Sequence, residues 1–404
     1  EDEGFSFLTI TLPAMAKDFE EALAAGKIEH DHFLGFKRSG SLPRFLGGFF
    51  AQVFDHETGV LLECPNTDAL YAIRQLCRFA SKVSLPCTSE REKSAYDDFI
   101  RVEQELEETD RRISRLDRRD YLRAARLLFG WTLTRCDSIA ANGGFLPKHG
   151  PGATADKLLG NQKWNQLEWP SRLEDGGFTS VDFLLPNARF NQNLSRVRFL
   201  DPGDERPVRV ISVPKTLKTP RIIAIEPTAM QYAQQAVARD LVLQLECDSV
   251  ARRFLGFTDQ EPNQLLAKRG SRSQKLATLD LSEASDRVLN SLVKDLLHGY
   301  THLSEAVQAC RSRTADVPGH GVIPLTKFAS MGSALTFPIE AMVFTTVIFL
   351  GIARAQDTKL TSEMILSLTG QVRVYGDDII CPVEYAESVI ETLEAFGFKV
   401  NRSK

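Results

Sequence analysis

The chain has 404 residues, more than one hydrophobic core usually holds, so two or three domains or subdomains are expected. Hydrophobic residues make up 43% and charged residues 25% of the sequence, which is the composition of an ordinary soluble globular protein. The formal net charge of −4 excludes a globally basic protein, so a nucleic-acid site would have to come from local clusters of Lys and Arg.

The seven cysteines are scattered along the chain, and none is spaced as Cys-x-x-Cys. This pattern favours a reducing compartment over a disulfide framework or a zinc site. The sequence begins at Glu1 without a methionine, so we expect a fragment or a trimmed chain.

Residues 90–126 are densely charged, with apolar residues spaced as one narrow helical stripe. The stripe consists of Phe99, Val102, Leu106, Ile113 and Leu116. It predicts a helix or a helix pair laid on the body of the protein, because it is too short for a partner-binding coiled coil. Residues 142–207 are rich in Gly, Pro and Asn and should be mostly loops.

Regular elements return after residue 206. VRVISVP, PRIIAIEP and KLATLDL are predicted strands, and TAMQYAQQAVARDLVLQL is a predicted helix. Further helices are expected over 285–297, after Gly332, and over EYAESVIETLEAFG, which Gly397 should end. The apolar run 341–353 is too short to span a bilayer and is expected to be a buried helix.

QVRVYGDDIICPV predicts two strands joined at Gly376 and Asp377. In such a hairpin Asp377 and Asp378 can both lie at one exposed edge, whereas in a plain strand they would point to opposite faces. Two carboxylates so close need a cation to offset their charges, and hard oxygen ligands suit Mg²⁺ or Mn²⁺. The alternative for an isolated GDD sequence is a surface turn that uses Asp and Gly for their backbone freedom.

LATLDLSEASDRV places Asp280 at the end of an apolar strand. Alone, Asp280 could be a helix N-cap, as could Ser285 or Asp286. Together with Asp377 and Asp378 it gives the three acids that can hold two divalent ions for in-line displacement at phosphorus.

RPVRVISVPKTLKTPRIIAIEP has no acidic residue from Arg206 through Arg221. Lys215, Lys218 and Arg221 recur every third residue around prolines, which indicates a basic loop that grips phosphates. A solvated strand face remains the alternative for Arg206 and Arg209.

In FASMGSALTFPIEAMVF, Ser330, Gly332 and Ser333 form a loop at a helix start, where backbone N–H groups and small hydroxyls can meet a sugar or a phosphate. Thr336 and Glu340 lie one helical turn apart on one face. Without the other elements, this segment would be interpreted as a capped core helix.

The four elements, in the order basic loop, DLSEASD, SMGSALT and YGDD, resemble motifs F, A, B and C of viral RNA-dependent RNA polymerases. Their amino-acid sequences most resemble those of leviviral replicases, the Qβ-like enzymes of positive-strand RNA bacteriophages. The strong likeness covers about 210–404, including GFTDQEPNQLLAKRGS between the first two motifs, and HGPGATAD at 149–156 is a weaker match.

The resemblance implies roles for twelve residues. It implies that Asp280, Asp377 and Asp378 bind the metal ions and that Lys215, Lys218 and Arg221 bind the triphosphate. The positions at which the family reads the ribose and places the nucleotide are those of Ser285, Asp286, Ser330, Gly332 and Thr336. FGFKVNRSK resembles motif D, whose lysine protonates the leaving pyrophosphate, and Lys404 matches its spacing better than Lys399.

Two positions depart from the pattern of many viral polymerases. Asp280 and Asp286 are separated by five residues instead of four, so the sugar-reading role is open between Ser285 and Asp286. Glu340 stands where many relatives have asparagine.

The resemblance also implies an α+β right-hand polymerase with an antiparallel-sheet palm, a helical and loop-rich fingers region, and a thumb that is missing or truncated. We expect an N-terminal and fingers region at 1–205, a basic-loop segment at 206–270 and the palm at 271–404. The implied activity is RNA-templated RNA synthesis from NTPs with two Mg²⁺ ions, Mn²⁺ being an alternative. Implied partners are template and product RNA and bacterial translation proteins as replicase subunits, with no membrane, in the cytoplasm of the infected host.

Two other functions are weighed against this one. A reverse transcriptase shares the hairpin but usually carries a bulky aromatic after motif A, where this chain has the small polar Ser285 and Asp286. A non-catalytic RNA-binding protein with a polymerase fold would be expected to lack at least one metal-binding aspartate.

Overall fold

A computed structural model of the chain describes residues 4–184, 192, 194–217 and 219–402. It combines helices with short strands, which confirms the predicted α+β class. The α-helices of the described residues are α1 (Leu12–Ala25), α2 (Gly47–Phe50), α3 (Thr67–Arg78), α4 (Ser89–Arg112), α5 (Arg115–Ala141), α6 (Ser171–Asp175), α7 (Ser180–Phe183), α8 (Thr228–Cys247), α9 (Glu261–Ser273), α10 (Asn290–Leu296), α11 (Thr301–Cys310), α12 (Thr336–Ala355), α13 (Ser362–Ser367) and α14 (Val383–Ala395). The strands are β1 (Arg38–Ser39), β2 (Leu42–Pro43), β3 (Glu168–Pro170), β4 (Arg198–Leu200), β5 (Val208–Val213), β6 (Arg221–Ile225), β7 (Leu276–Leu279), β8 (Leu281–Ser282), β9 (Thr314–Val317), β10 (Gly321–Pro324), β11 (Arg373–Tyr375), β12 (Asp378–Pro382) and β13 (Lys399–Val400).

The chain divides into two compact units. The first comprises Glu1–Asp97 and Ser212–Ile222, and the second comprises Asp98–Ile211 and Ile223–Lys404. Each unit has its own hydrophobic core. In the first, aromatic rings pack edge to face, with Phe50 5.4 Å from Phe19 and 5.2 Å from Phe33 between ring centroids. Aromatic pairs at such distances add to the free energy that burial contributes.

The core of the second unit is built around α12. This helix is buried along nearly its whole length and packs against α5 and α14, while α5 also packs against α8, α10 and α11. A helix that is apolar all round must be surrounded by other elements to remove its surface from water.

The helix α12 is longer than the apolar run predicted it to be. It spans Thr336–Ala355, so by length and composition it passes the test for a membrane-crossing helix, and 89% of its most apolar window is buried inside the structure. The expectation that this run is too short to span a bilayer is therefore wrong, because the helix extends beyond 341–353 at both ends. The expectation of a buried helix is confirmed.

The sheet that contains the predicted GDD hairpin has three antiparallel strands in the order β11-β12-β7. β8 continues the chain just after β7 and pairs with β13. A separate sheet has the order β10-β9-β5-β6. The strands predicted from VRVISVP, PRIIAIEP, KLATLDL and the two halves of the GDD hairpin are all present.

The charged stretch 90–126 forms a helix pair, α4 and α5, as predicted. Ser114 caps α5 by accepting a hydrogen bond from the backbone N–H of Asp117 at 3.1 Å. Four residues of the predicted stripe are buried, whereas Leu116 is 55% exposed because the turn between the helices breaks the stripe before it.

The helix predicted over 285–297 is wrong in its first half. Only a 3₁₀ turn forms at Ser285–Arg287, and the chain is extended at Val288 before α10 begins. The backbone of Val288 accepts from Phe328 N at 2.6 Å, and Leu289 forms a bridge with Lys327. Pairing with a segment forty residues later overrides the local helical pattern.

Candidate active site

The two adjacent aspartates lie on a tight hairpin, as predicted. Tyr375 pairs with Asp378, so Gly376 and Asp377 alone form the turn. Gly376 has φ of +60°, which the first central residue of a type II′ turn requires and which glycine adopts without strain. A Cβ at Gly376 would lie 2.5 Å from Cε2 of Phe337, so this ring packs directly on the turn. Both carboxylates are presented at exposed positions.

Asp280 lies at the same edge of the sheet as this turn. β7 and β12 are antiparallel, with Leu279 opposite Ile379. The next position along the two strands sets Asp280 opposite Asp378, and opposite residues of an antiparallel pair project to the same face. Asp280 also accepts a hydrogen bond from Nδ2 of Asn401 at 3.4 Å. The register thus brings Asp280 next to the hairpin.

Asp378 is supported by two amide side chains that sequence reasoning missed. Nε2 of Gln260 donates to Oδ2 of Asp378 at 3.2 Å, and Nδ2 of Asn263 donates to its backbone carbonyl at 3.5 Å. Asn263 is buried and accepts a hydrogen bond from Nε of Arg373 at 3.2 Å. Both amides come from the GFTDQEPNQLLAKRGS segment, which had a family likeness but no assigned role.

Ser285 and Asp286 occupy the 3₁₀ turn that follows Asp280. Oδ1 of Asp286 lies 2.9 Å from Nζ of Lys327, whose side chain is fully buried. Sequence reasoning missed Lys327, although it is the one charged residue in KFASMGSALTF.

Ser330, Gly332 and Thr336 lie in and after the loop that leads into α12. Oγ1 of Thr336 donates to the carbonyl of Ser330 at 2.8 Å. Gly332 has φ of +142°, and a Cβ there would lie 1.9 Å from the carbonyl oxygen of Ala224, so only glycine permits this close approach of two backbones. The Ser330 hydroxyl is buried and has no hydrogen-bond partner within the described residues.

Glu340 is a buried acid beside this site. The residue is 7% exposed, and Oε2 has no hydrogen-bond partner in the described part of the chain. Burial, and then the negative charges of Asp377 and Asp286, raise the pKa of Glu340 to about 8. At pH 7 the side chain is therefore mainly a neutral acid.

The predicted triphosphate-binding residues belong to the first compact unit, whereas the aspartates belong to the second. Lys215 follows β5, Arg221 begins β6, and both side chains are exposed. Lys218 and Lys404 lie outside the described residues. The role of these four basic residues stays a prediction.

No group of three or more His, Cys, Asp or Glu residues is arranged to hold a metal ion in the part of the chain that the structure describes. Asp280 and Asp378 share one sheet edge, but the three aspartates do not converge into a formed cage. Their chemistry nevertheless suits a hard cation such as Mg²⁺, which binds carboxylate oxygens. The metal-binding role stays a prediction.

Relatives of the chain are found among phage replicases. It is 35% identical over 195 residues to the RNA-directed RNA polymerase beta chain of Enterobacteria phage fr, and 33% identical over 195 residues to that of Escherichia phage MS2. It is 31% identical over 238 residues to the RNA-directed RNA polymerase subunit beta of Escherichia virus Qbeta. These matches cover 48%, 48% and 56% of the chain and 32%, 32% and 37% of the relatives, respectively. The chain thus spans about a third of the length of these relatives.

Among solved structures, the chain is similar to the RNA-dependent RNA polymerase of a human picorbirnavirus, with 16% identity and a TM-score of 0.36 for an insertion loop deletion mutant. That similarity covers 48% of this chain and 40% of the other. The sequence profile of the family described as RNA replicase, beta-chain, matches residues 205–404, which contain Asp280, Asp286, Asp377 and Asp378. Through these residues, the chain belongs to the RNA replicase beta-chain family.

Proposed function

We propose that the chain forms the palm and part of the fingers of a viral RNA-dependent RNA polymerase. In this proposal the sheet β11-β12-β7 is the palm sheet, and α12 and α14 are the helices behind it. The observation that carries the proposal is the strand register, which aligns Asp280 with the edge that bears Asp377 and Asp378. Motif order, hairpin geometry and family membership all support the interpretation of this sheet as a polymerase palm.

Asp280, Asp377 and Asp378 are the residues that would hold two Mg²⁺ ions, with Mn²⁺ as a substitute. When bound, such ions lower the pKa of the attacking 3′-hydroxyl and offset the charge of the leaving pyrophosphate. Gln260 and Asn263 keep Asp378 in place through the hydrogen bonds described above.

The remaining site residues bind the nucleotide in this proposal. Lys215, Lys218 and Arg221 would contact the triphosphate, and Lys404 would protonate the leaving pyrophosphate. Asp286 or Ser285 would meet the ribose, as would the hydroxyl of Ser330, for which the described residues supply no hydrogen-bond partner.

The biological setting is proposed by analogy with the relatives. The substrates would be NTPs and a phage RNA template, and synthesis would take place in the cytoplasm of an infected bacterium. The names of the relatives, beta chain and subunit beta, support an assembly with further subunits, for which we propose bacterial translation proteins.

The test is primer extension on an RNA template with Mg²⁺, comparing the chain with Asp378→Asn. We expect extension with NTPs, and a loss of at least about 100-fold in the variant without a lower unfolding temperature, because removing one of two adjacent like charges does not strain the fold. The matched control is Asp204→Asn, which changes an exposed loop residue and should retain activity.

Two results would contradict the proposal. A strong preference for dNTPs would favour a reverse transcriptase. Mn²⁺ binding should be weaker in Asp377→Asn than in the wild type. It is measured by the decrease in the electron-spin-resonance signal of free Mn²⁺. Unchanged binding, together with no extension, would favour a non-catalytic RNA-binding protein.

A further inference from the structure

We propose that Lys327 is a positioning residue that fixes the carboxylate of Asp286 for recognition of the nucleotide's sugar, and so sets the preference for ribonucleotides. This inference rests on the proposed function, because it requires that a nucleotide sugar meets Asp286. Its structural part, that Lys327 holds Asp286 in place, can be tested separately.

Lys327 is buried between two carboxylates and an aromatic ring. Its side chain is 0% exposed, and Nζ lies 2.9 Å from Oδ1 of Asp286 and 3.1 Å from Oε1 of Glu103. The same nitrogen lies 3.5 Å from the centroid of the Phe99 ring. A buried ammonium group requires opposite charges in place of its water, and the π face of an aromatic ring adds to the attraction. The surroundings of Lys327 supply both.

Lys327 is held in place independently of Asp286. Oε2 of Glu103 accepts hydrogen bonds from the backbone N–H groups of Thr326, at 2.7 Å, and of Lys327, at 3.4 Å. The carbonyl of Lys327 accepts from Nη2 of Arg311 at 2.5 Å. The backbone and side chain of Lys327 are thus fixed before any nucleotide binds, as a positioning residue requires.

Of the two carboxylates that contact Lys327 within the described residues, that of Asp286 is the more exposed. Its side chain is 19% exposed, whereas that of Glu103 is 8% exposed. Asp286 follows Asp280 after β8, in the 3₁₀ turn Ser285–Arg287, and Asp280 lies next to the GDD hairpin by strand register. One carboxylate oxygen is engaged by Lys327, and the group keeps lone pairs with which it can accept a hydrogen bond from a sugar hydroxyl.

The physical consequence is specificity for a hydroxyl group. A site built to accept a hydrogen bond from an OH group discriminates strongly against an analogue that lacks it, because its own polar group is then left unpaired. Such discrimination depends on a carboxylate held in one rotamer. Without Lys327 the Asp286 side chain gains freedom, and the advantage of a ribonucleotide over a 2′-deoxynucleotide decreases.

The functional test compares Lys327→Met with Lys294→Met, which removes an exposed lysine of α10. The ratio of kcat/KM for an NTP to that for the matching 2′-dNTP is measured on one RNA template. We expect Lys327→Met to lower this ratio at least about tenfold, mainly through a loss with the NTP, and Lys294→Met to leave it unchanged. A ratio unchanged in Lys327→Met would overturn the inference.

A second variant separates positioning from stability. Lys327→Met leaves Glu103 and Asp286 without their shared cation, which is destabilising for buried charges. Adding Glu103→Gln removes one of these charges and should raise the unfolding temperature toward that of the wild type. We expect the NTP to dNTP ratio to stay low in this double variant. A ratio that recovers together with the unfolding temperature would show that Lys327 acts only through stability.

Crystal structures of the wild type and the double variant test the positioning without turnover. We expect the Asp286 carboxylate to move by more than about 1 Å or to occupy several rotamers once Lys327 is lost. An unmoved carboxylate would overturn the inference even if the chain synthesises no RNA. A wild type without polymerase activity but with a displaced carboxylate in the variant would refute only the proposed function.

Discussion

Glu340 carries the clearest pH dependence in the protein. Its pKa is raised to about 8 in the folded chain, from an ordinary value of 4.5, by burial and by the charges of Asp377 and Asp286. Between these two values the folded state keeps the proton and the unfolded state releases it. The unfolded state therefore binds fewer protons, and the free energy of unfolding falls as pH rises from about 4.5 to 8.

The variant Glu340→Gln should remove this pH dependence. A pKa shift of one unit corresponds to ~1.36 kcal/mol. Ionisation of Glu340 therefore lowers the free energy of unfolding by at most about 5 kcal/mol above pH 8, and has no effect at pH 4, where the side chain is protonated in both states. We expect the variant to be more stable than the wild type at pH 9 and equally stable at pH 4, by urea unfolding without divalent ions. Glu391→Gln, at an exposed position of α14, is the control. A difference between Glu340→Gln and the wild type that does not vary with pH would contradict the assignment.

At the scale of elements, the helix pair α4 and α5 shows what a periodic pattern of apolar residues can and cannot predict. The stripe of apolar residues predicted both helices, because burial of one face imposes a helical period on the sequence. It did not predict where the helices separate. Leu106 lies before that break and is 0% exposed, whereas Leu116 lies after it and is 55% exposed.

Leu106→Ala and Leu116→Ala form a matched pair that tests this difference. Replacing a buried leucine by alanine leaves a cavity and typically costs about 2–5 kcal/mol, whereas an exposed substitution costs little. We expect Leu106→Ala to lower the free energy of unfolding by about 3 kcal/mol and Leu116→Ala by less than about 1 kcal/mol, measured by urea denaturation. Similar losses in the two variants would mean that the break between α4 and α5 is misplaced.

The strands and the GDD hairpin were predictable because their signals are local. Alternating β-branched residues and a Gly-Asp turn are contained in a dozen residues. The failed helix over 285–297 shows the opposite case. Its sequence has a helical pattern, but the extended backbone at Val288 is set by a hydrogen bond from Phe328, which lies forty residues away. A local sequence pattern contains no information about a hydrogen-bond partner forty residues away.

At the scale of the whole molecule, the same reasoning explains which contacts of the candidate site could be predicted from the sequence. Motif order and spacing indicated the three aspartates, and the strand register sets Asp280 opposite Asp378. The contact of Lys327 with Glu103 joins residues more than two hundred positions apart, and nothing in either local sequence indicates it. The chain length predicted more than one domain, but the boundaries of the two compact units were not visible, because the first unit includes the distant segment Ser212–Ile222.

The charge of the whole chain makes its proposed RNA binding dependent on a few local sites. With a net charge of −4, the protein as a whole repels a polyanion, so lysines and arginines in exposed clusters must supply the attraction. Each phosphate contact with single-stranded RNA contributes about −0.7 to the slope of log affinity against log salt concentration. Lys215 and Arg221 are exposed residues of the proposed basic loop.

We therefore expect affinity for a single-stranded RNA to fall with added salt, and the double variant Lys215→Ala/Arg221→Ala to lower the magnitude of the slope by roughly 1.4. The control Lys37→Ala/Lys82→Ala removes the same charge from exposed positions elsewhere in the first unit. Fluorescence anisotropy between about 50 and 200 mM salt measures the slopes. Equal slopes in the two double variants would mean that net charge, and not the basic loop, governs binding. A slope near zero in the wild type would contradict RNA binding through phosphate contacts altogether.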